Sequence, residues 1–323
     1  MNKVRVTIPG KVMLSGEYAV LRGEPALAVA VDRHMTIEAE AGDGETPILS
    51  SDLWAGTQNL DENSADYFHR AVAGMIWKTG VVPGRVSITS DLNIKHGLGT
   101  SSALRLGVSM ALRVLAGEEN GKSTWAEAAE NAIKLQRAAQ GYASGYDVMT
   151  QWHGGLIRFV SSNAQGDGYA VDRFATSGLV DRVHVVGGGQ GAPTATMIQA
   201  VRAYMDKRQN DLMRVNSDLT NALTAAIEAD GGDWRSVYQA AGEHRKFMAA
   251  APEQPGALLA ELGAIAGCDE SWSVKTTGAG GEDALLLFGE REAISPALKF
   301  LADKGWERLP VSFTDRGGEV SCL

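Results

Sequence analysis

The glycine-rich segment GLGTSSA, residues 97–103, constrains the fold and chemistry of this chain more than any other stretch. It lies between a strand-like segment, Arg85–Thr89, and an apolar-periodic run, Ala103–Leu115, that predicts a helix. Glycines let a backbone approach a ligand closely, and exposed N–H groups at a helix start attract anions. The segment therefore predicts an anion-binding loop, although a capped helix after a glycine turn fits it equally well on its own. The loop comprises Gly97, Leu98, Gly99, Thr100, Ser101, Ser102 and Ala103.

Two serine hydroxyls at the start of this predicted helix widen the range of possible ligands. Ser101 and Ser102 can cap the helix, and they can also offer oxygen atoms to a phosphate group or to its metal ion. The segment is not a Walker A loop, because the required Gly-Lys-Ser/Thr ending is absent. Both the capping role and the ligand-binding role are compatible with these residues.

The length and patterning of the chain indicate two globular domains. At 323 residues the chain exceeds the usual size of one compact core, and its 44 % hydrophobic and 21 % charged residues are an ordinary globular composition. Strand and helix patterns occur in both halves, which predicts an α+β fold. A small, polar stretch at Ser161–Tyr169 suggests the boundary, so we predict domains at residues 1–165 and 166–323.

Charge, cysteine content and apolar runs restrict the partners and the compartment. The net charge of -9 and the pI near 5.2 do not favour nucleic-acid binding, and no Lys/Arg-rich run suggests a local footprint. Cys268 and Cys322 form no disulfide framework, so we expect reduced thiols. No apolar run has the length of a membrane span, and the N-terminus lacks the apolar core of a signal peptide. We expect a cytoplasmic protein without a membrane partner.

Local patterns also predict individual elements whose bounds the structure can test. Polar–apolar alternation predicts strands, 3.6-residue periodicity predicts helices, and Pro-Gly pairs predict turns. The predictions are a strand at Lys3–Ile8 with a turn at Pro9–Gly10, a helix within Thr57–Met75, a helix at Ser123–Gln140 ended by Gly141, helical periodicity over Thr194–Ala229, and a last strand at Arg308–Ser312.

Three segments, in this order, resemble the three motifs of the GHMP kinase superfamily. They are PGKVMLSGEYAV at residues 9–20, KHGLGTSSA at residues 95–103 and KTTGAGGED at residues 275–283. The resemblance spans the whole chain. It implies two lobes, an N-terminal lobe with a phosphate loop before a helix and a C-terminal ferredoxin-like lobe. It also implies an ATP- and Mg²⁺-dependent kinase that acts on a small anionic molecule, as a monomer or a homodimer.

Within the superfamily, the motifs are most similar to those of phosphomevalonate kinases. Gly16-Glu17-Tyr18 carries Tyr where mevalonate kinases and galactokinases usually carry His, and AQGYASGYDV at residues 139–148 is similar to the phosphomevalonate kinase region around the catalytic aspartate. This resemblance implies 5-phosphomevalonate as the acceptor and a role in isoprenoid biosynthesis. Mevalonate kinase or another small-alcohol kinase is the alternative, followed by a diphosphomevalonate decarboxylase and a non-catalytic binding relative.

The resemblance also implies roles for individual residues. Asp147 would take the proton of the acceptor hydroxyl, Lys11 would lie beside it, and Ser102 would contact Mg²⁺ or the terminal phosphates. Gln136 stands where mevalonate kinases place a Mg²⁺-binding Glu, which is a departure from their pattern. Nucleotide contacts are also expected from Gly278, Ala279 and Gly280, and acceptor contacts from Glu17, Tyr18, Ser144, Gly145, Arg137 and Lys275, with Lys95 and Arg105 as further basic candidates.

Overall fold

Two long antiparallel strands form the centre of the first sheet. The computed structural model describes residues 2–42, 46–53, 57–61, 63–64, 66–161, 168–188, 194–229, 232–281 and 283–323. Strand β1 runs over Lys3–Ser15 and strand β2 over Ala26–Ala41, and the two pair along almost their whole length. The predicted turn at Pro9–Gly10 is wrong, because β1 continues through it and only its pairing register shifts there. A bulge accommodates the proline without ending the strand.

The first sheet has eight strands within the described residues. One edge of β2 pairs with β1, and its other edge pairs with two different strands, one at each end. The remaining strands are β3 (Ile48–Ser51), β4 (Thr57–Asn59), β5 (Pro83–Ser90), β6 (Leu156–Ser161), β7 (Tyr169–Phe174) and β12 (Glu319–Cys322). The order is β12-β1-β2-β5-β3-β4, and β6 joins β2 to β7.

Four helices form the layer next to this sheet. They are α1 (Tyr67–Thr79), α2 (Thr100–Leu115), α3 (Lys122–Gln140) and α4 (Tyr146–His153). Helices α2 and α4 pack on the strands of the sheet, while α1 and α3 pack against α2. Helix α2 packs against both β1 and β2, and its residues 102–112 are all buried. This agrees with a sequence that is apolar on nearly every side of the helix. The helix begins at the glycine-rich loop, so the core of the domain fixes the position of that loop.

The second sheet has the ferredoxin-like arrangement that the family resemblance implied. Its strands are β8 (Val183–Gly187), β9 (Trp272–Thr276), β10 (Ala284–Gly289) and β11 (Glu307–Arg308). They are antiparallel in the order β11-β8-β10-β9, with helical segments between β8 and β9 and between β10 and β11. This is the β-α-β-β-α-β order of ferredoxin-like domains, so the predicted two-lobed α+β fold is confirmed.

Helices cover both faces of the second sheet. Side chains alternate along β10, so Leu286 and Phe288 pack into the large core that also contains the first sheet, while Leu285 and Leu287 pack into a separate core with Trp272. The helices are α5 (Thr194–Lys207), α6 (Gln209–Glu228), α7 (Trp234–Ala249), α8 (Gly256–Gly263) and α9 (Arg291–Asp303). None of the helices in the described residues has the length and apolar character needed to cross a bilayer.

The predicted domain boundary at 165/166 lies outside the described residues, in the gap at 162–167. The two-domain division at that point stays a prediction. Strands β7 and β12 come after the boundary in sequence, yet both hydrogen-bond into the first sheet. The C-terminal half therefore contributes two edge strands to the N-terminal sheet.

Candidate active site

A cavity of about 930 Å³ lies where the first sheet and its helices face the loop between β9 and β10. Strand β1, the four helices α1–α4 and this loop all contribute side chains to its wall. The structure thus brings segments from the start, the first half and the end of the chain to one place. The predicted site residues that line the cavity are Lys11, Tyr18, Gly97, Leu98, Gly99, Thr100, Ser101, Ser102, Ser144, Asp147, Gly278 and Ala279.

The loop before α2 has a backbone shape that only glycine adopts without strain. Gly99 is the N-cap of α2 with φ of +86°, in the left-handed region. A Cβ on Gly99 would lie 2.9 Å from Gln151 Nε2 and 3.0 Å from Lys11 Cγ. The missing side chain lets Lys11 and the loop pack together. The first turn of α2 consequently presents its N–H groups next to the cavity, as an anion requires.

Lys11 is attached to this loop by its backbone and by its side chain. Its N–H donates to Leu98 O at 2.9 Å, and its Nζ donates to Gly97 O at 2.8 Å. Burial lowers the pKa of Lys11, and the negative charges of Asp147, Asp283 and Glu17 partly offset that effect. Lys11 and Asp147 line the same cavity without a direct ion pair in the described structure. Both the ammonium and the carboxylate are therefore accessible from the cavity.

Asp147 lies in the first turn of α4, and it is held from two sides. Gln136 Nε2 donates to its Oδ2 at 2.8 Å, and the N–H of Val148 donates to its Oδ1 at 2.9 Å. The side chain is only 9 % exposed, and the carboxylate lies at the cavity wall. Gln136 therefore positions the carboxylate. The amide is neutral, so Gln136 adds no second carboxylate beside Asp147.

The third motif, residues 275–283, contains a glycine loop between β9 and β10, and only some of its residues that were predicted to bind the nucleotide reach the cavity. Gly278 and Ala279 line the wall, and Ala279 O accepts a hydrogen bond from the Tyr18 hydroxyl at 2.5 Å. Gly280 does not line the cavity, since it packs against the side chain of Gln254. The loop is thereby attached to the first motif through Tyr18, and burial raises the pKa of that hydroxyl. Tyr18 is therefore a neutral hydrogen-bond donor at neutral pH.

Glu17 and Lys275 were predicted to contact the acceptor, but the structure places them away from the cavity wall. Both side chains are completely buried, and Lys275 Nζ donates to Glu17 Oε1. His244 Nε2 lies 3.4 Å from the other carboxylate oxygen of Glu17. Burial alone would raise the pKa of Glu17, but Lys275 and His244 lower it to about 2. The pair joins the segment after β1 to strand β9, behind the cavity.

Of the other residues predicted to contact the acceptor, some line the cavity and some do not. Ser144 lines the cavity, and Gly145 is the N-cap of α4 with φ of +94°. Arg137 lies outside the wall, because its guanidinium donates to Ala143 O at 3.1 Å. Of the further basic candidates, Lys95 lines the cavity, whereas Arg105 is buried behind it.

The serine predicted to bind metal is directed into its own helix. Ser102 Oγ donates to Gly99 O at 3.0 Å, and the residue is 1 % exposed, although it contributes to the cavity wall. Ala103 is completely buried and contributes only to the core. The contact between Ser102 and Mg²⁺ stays a prediction.

Several cavity residues were not singled out from the sequence. Asp283 lines the wall next to Gly97, and Tyr67 and Gln140 line it beside Ser101. Arg202, outside the wall, lies with its guanidinium carbon 5.2 Å from the ring centre of Tyr142, which is part of it. Asp283 had a signal, because it ends the third motif. Tyr67 had none, since only the fold brings α1 to the loop.

The comparison with known protein families agrees with this geometry. The family profile described as "GHMP kinases N terminal domain" matches residues 66–155, which include the glycine-rich loop, Gln136 and Asp147. A mevalonate kinase from Pyrococcus furiosus is 27 % identical over 245 residues, covering 70 % of this chain and 68 % of that protein. A phosphomevalonate kinase from Streptomyces sp. is 25 % identical over 340 aligned positions, covering 88 % and 89 %.

A comparison with solved structures gives the same fold over the whole chain. The Streptococcus pneumoniae phosphomevalonate kinase, solved in complex with phosphomevalonate and AMPPNP, superimposes with a TM-score of 0.77. The match covers 96 % of this chain and 99 % of that one, at 19 % identity. This likeness concerns the fold.

Proposed function

Because this chain belongs to the GHMP kinase superfamily, we propose that it transfers the γ-phosphoryl group of ATP to a small anionic alcohol, 5-phosphomevalonate. The observation that carries the proposal is the shared cavity of Lys11, Asp147 and the glycine-rich loop. Phosphoryl transfer requires positioning and charge neutralisation, and it requires little covalent chemistry from the protein. The cavity offers both, because a cationic side chain and a carboxylate line it together with the loop.

The nucleotide is proposed to bind with its phosphates at the start of α2. The N–H groups of the first turn and the Lys11 ammonium are the positive groups there. Asp147 then accepts the proton of the acceptor hydroxyl as its oxygen attacks the γ-phosphorus. Lys11 stabilises the negative charge on the transferring group, since its ammonium lies at the same wall. ADP and the phosphorylated acceptor are the products.

The cavity also suits the Mg²⁺ ion that the superfamily implies. Gln136 Oε1 is a buried oxygen for which the described structure contains no hydrogen-bond partner, and it lies beside the Asp147 carboxylate. Hard oxygen donors of this kind are the ligands that Mg²⁺ prefers. Gln136 and Asp147 are therefore the residues that would hold the ion, directly or through water. A Mg²⁺ ion held there would supply positive charge to offset the negative charge of the phosphate oxygens.

The acceptor's anionic groups would meet cationic side chains near the cavity. Lys95 lines the wall, and the Arg202 guanidinium lies against Tyr142 at the wall. The similarity to the Streptomyces phosphomevalonate kinase extends over more of this chain than the similarity to the Pyrococcus mevalonate kinase. These observations favour a phosphorylated acceptor. Mevalonate is the second candidate, because the identity to that mevalonate kinase is slightly higher.

An acceptor panel tests the proposal. ADP release is measured with ATP and Mg²⁺ in the presence of mevalonate, 5-phosphomevalonate or galactose, and the products are identified by mass. We expect release with 5-phosphomevalonate and a diphosphate product. Turnover only with mevalonate or galactose would contradict the acceptor assignment, and release of carbon dioxide from a diphosphorylated substrate would indicate a decarboxylase. Nucleotide binding without any ADP release would instead indicate a non-catalytic relative.

A further inference from the structure

A positively charged side chain is buried directly behind the glycine-rich loop. Arg105 is 2 % exposed and lies one turn after Ser101 on α2. In the part of the chain that the structure describes, no carboxylate forms an ion pair with it. A buried charge without a counter-ion destabilises the fold. An anion bound in the cavity would offset part of that cost.

The guanidinium donates to two hydroxyl groups of the cavity wall. Its Nη1 donates to Ser101 Oγ and, at 3.1 Å, to Ser101 O, while its Nη2 donates to the Tyr67 hydroxyl oxygen at 3.0 Å. Gln140 Nε2 donates to the same Tyr67 oxygen at 3.2 Å. Tyr67 and Ser101 lie 3.0 Å apart, hydroxyl to hydroxyl. Four side chains from α1, α2 and α3 thus form one connected network.

The chemistry of the donors decides the direction of the hydrogen bond between Tyr67 and Ser101. Guanidinium N–H groups and an amide NH₂ group can only donate. The Tyr67 oxygen therefore accepts two hydrogen bonds, from Arg105 and Gln140, which fills its acceptor capacity. Its own proton must go to Ser101 Oγ, the hydroxyl oxygen 3.0 Å away.

Counting donors and acceptors in the same way shows which part of the Ser101 hydroxyl is still available for a ligand. Its oxygen accepts from Arg105 and from Tyr67, and a serine hydroxyl has two lone pairs and one proton. With both lone pairs occupied, the hydroxyl can neither ligate a metal ion nor accept another hydrogen bond. Its proton is its only remaining group, and Ser101 lines the cavity. The residue is therefore a donor whose natural partner is an anionic oxygen.

We propose that Arg105, Tyr67 and Gln140 act as positioning residues that orient the Ser101 hydroxyl as a hydrogen-bond donor to a phosphate oxygen of the nucleotide, and not as a metal ligand. The inference rests on the proposed function, since it specifies how that site holds the triphosphate. The buried charge of Arg105 adds an attraction for the same anion. A purely structural network would tie α1 to α2 and would leave the affinity for the nucleotide unchanged.

A double-mutant cycle on nucleotide binding tests this inference. The dissociation constant of ATP is measured by calorimetry in excess EDTA for the wild-type chain, Ser101→Ala, Tyr67→Phe and the double variant. We expect Ser101→Ala to raise it about tenfold, because a hydrogen bond to a charged oxygen is lost. Tyr67→Phe should raise it about threefold to tenfold alone and less than twofold in the Ser101→Ala background. Tyr169→Phe, which removes the same group from β7 outside the cavity, is the matched control.

A second measurement separates the donor from a metal ligand. The ratio of ATP affinities with and without Mg²⁺ should be the same in Ser101→Ala as in the wild-type chain, whereas loss of a metal ligand would reduce that ratio. Equal effects of Tyr67→Phe in both backgrounds, or no effect, would overturn the inference and leave the kinase proposal intact. A wild-type chain that binds no nucleotide with or without Mg²⁺ would overturn both. Melting temperatures of all variants exclude loss of folding as the cause.

Discussion

Lys11 and Asp147 reach the same cavity by different means. Lys11 is fixed on β1 by hydrogen bonds to the glycine-rich loop, while Asp147 is fixed on α4 by Gln136 and by the N–H of Val148. The two side chains form no direct ion pair in the described structure, and each has hydrogen-bond partners of its own. The role of each can therefore be removed separately.

The first prediction concerns Asp147. Asp147→Ala should lower kcat by roughly 10²–10⁴-fold, because the acceptor hydroxyl loses its general base, while the affinity for ATP stays close to that of the wild-type chain. Steady-state kinetics and calorimetry measure the two quantities. Asp303→Ala, an exposed aspartate at the end of α9, is the control and should change neither. Unchanged turnover in Asp147→Ala would remove this residue from the mechanism.

At the scale of elements, the turn into α2 determines where the loop and Lys11 meet. Gly99 adopts φ of +86° and has no room for a Cβ, whereas Gly117, after the other end of the same helix, adopts φ of +97° with nothing within 4 Å of its Cβ position. The two glycines share the backbone conformation and differ in their surroundings. They form a matched pair for separating backbone strain from contact with Lys11.

The second prediction uses this pair. Gly117→Ala should cost roughly 1–2 kcal/mol of unfolding free energy, because alanine is strained at positive φ, and Gly99→Ala should cost more, because its Cβ also collides with neighbouring atoms. Only Gly99→Ala should also lower kcat, by at least about tenfold, since its Cβ would displace Lys11 and Gln151. Denaturant titrations and steady-state rates provide the comparison. Equal turnover in both variants would show that the close approach at Gly99 has no part in catalysis.

At the scale of the whole molecule, a buried charge cluster joins the two sheets. Glu17 follows β1, Lys275 lies on β9, and His244 on α7 contacts the same carboxylate. Removing one member of a buried ion pair leaves an uncompensated charge, which is usually more costly than losing both. The cluster therefore holds the third motif, residues 275–283, against the first motif, residues 9–20.

The third prediction tests this cluster by stability. Glu17→Gln should cost roughly 3–5 kcal/mol of unfolding free energy, because Lys275 stays buried without its counter-ion. Adding Lys275→Met should recover a large part of the loss. Glu243→Gln, which breaks the exposed pair with Lys246, is the control and should cost about 1 kcal/mol or less. A loss of the same size for Glu17→Gln and Glu243→Gln would contradict the buried cluster.

The fourth prediction concerns pH. The pKa of Glu17 is lowered from an ordinary value of 4.5 to about 2 in the folded chain, so its ionised form stabilises the fold. That contribution is complete above pH 4.5 and is lost as the pH falls toward 2. The difference in unfolding free energy between the wild-type chain and Glu17→Gln should therefore shrink over this range. A difference that is independent of pH would show that Glu17 titrates normally.

The sequence predicted helix ends and helical segments that depend only on neighbouring residues. Gly141, with φ of +78°, ends α3 where the sequence indicated, and the periodic run after the glycine-rich loop is α2. The helix within Thr57–Met75 was partly wrong: residues 57–59 form β4, and α1 begins only after Asp66, whose side chain accepts from the N–H of His69. The Asp66 cap was visible in the sequence, but the apolar spacing before it was misleading.

Long-range partners were not predictable from the sequence. The helical periodicity over Thr194–Ala229 is interrupted at Arg208 between α5 and α6. The strand predicted at Arg308–Ser312 is β11, which covers only Glu307–Arg308, and it is not the last one, because β12 follows at Glu319–Cys322. Glu17 and Lys275 are 258 residues apart, and no local pattern could show that they pair with each other. Motifs placed the residues in one region, and the packing of the two sheets decided which of them face the cavity.

Phosphorus NMR of the wild-type chain with ATP, Mg²⁺ and 5-phosphomevalonate tests the central claim most directly, since it follows the transferred group itself. The account predicts that the γ-phosphate resonance of ATP disappears together with the monophosphate resonance of the acceptor, and that resonances of ADP and of a new diphosphate ester appear in equal amounts. Unchanged spectra, or transfer of the γ-phosphoryl group to water alone, would contradict it.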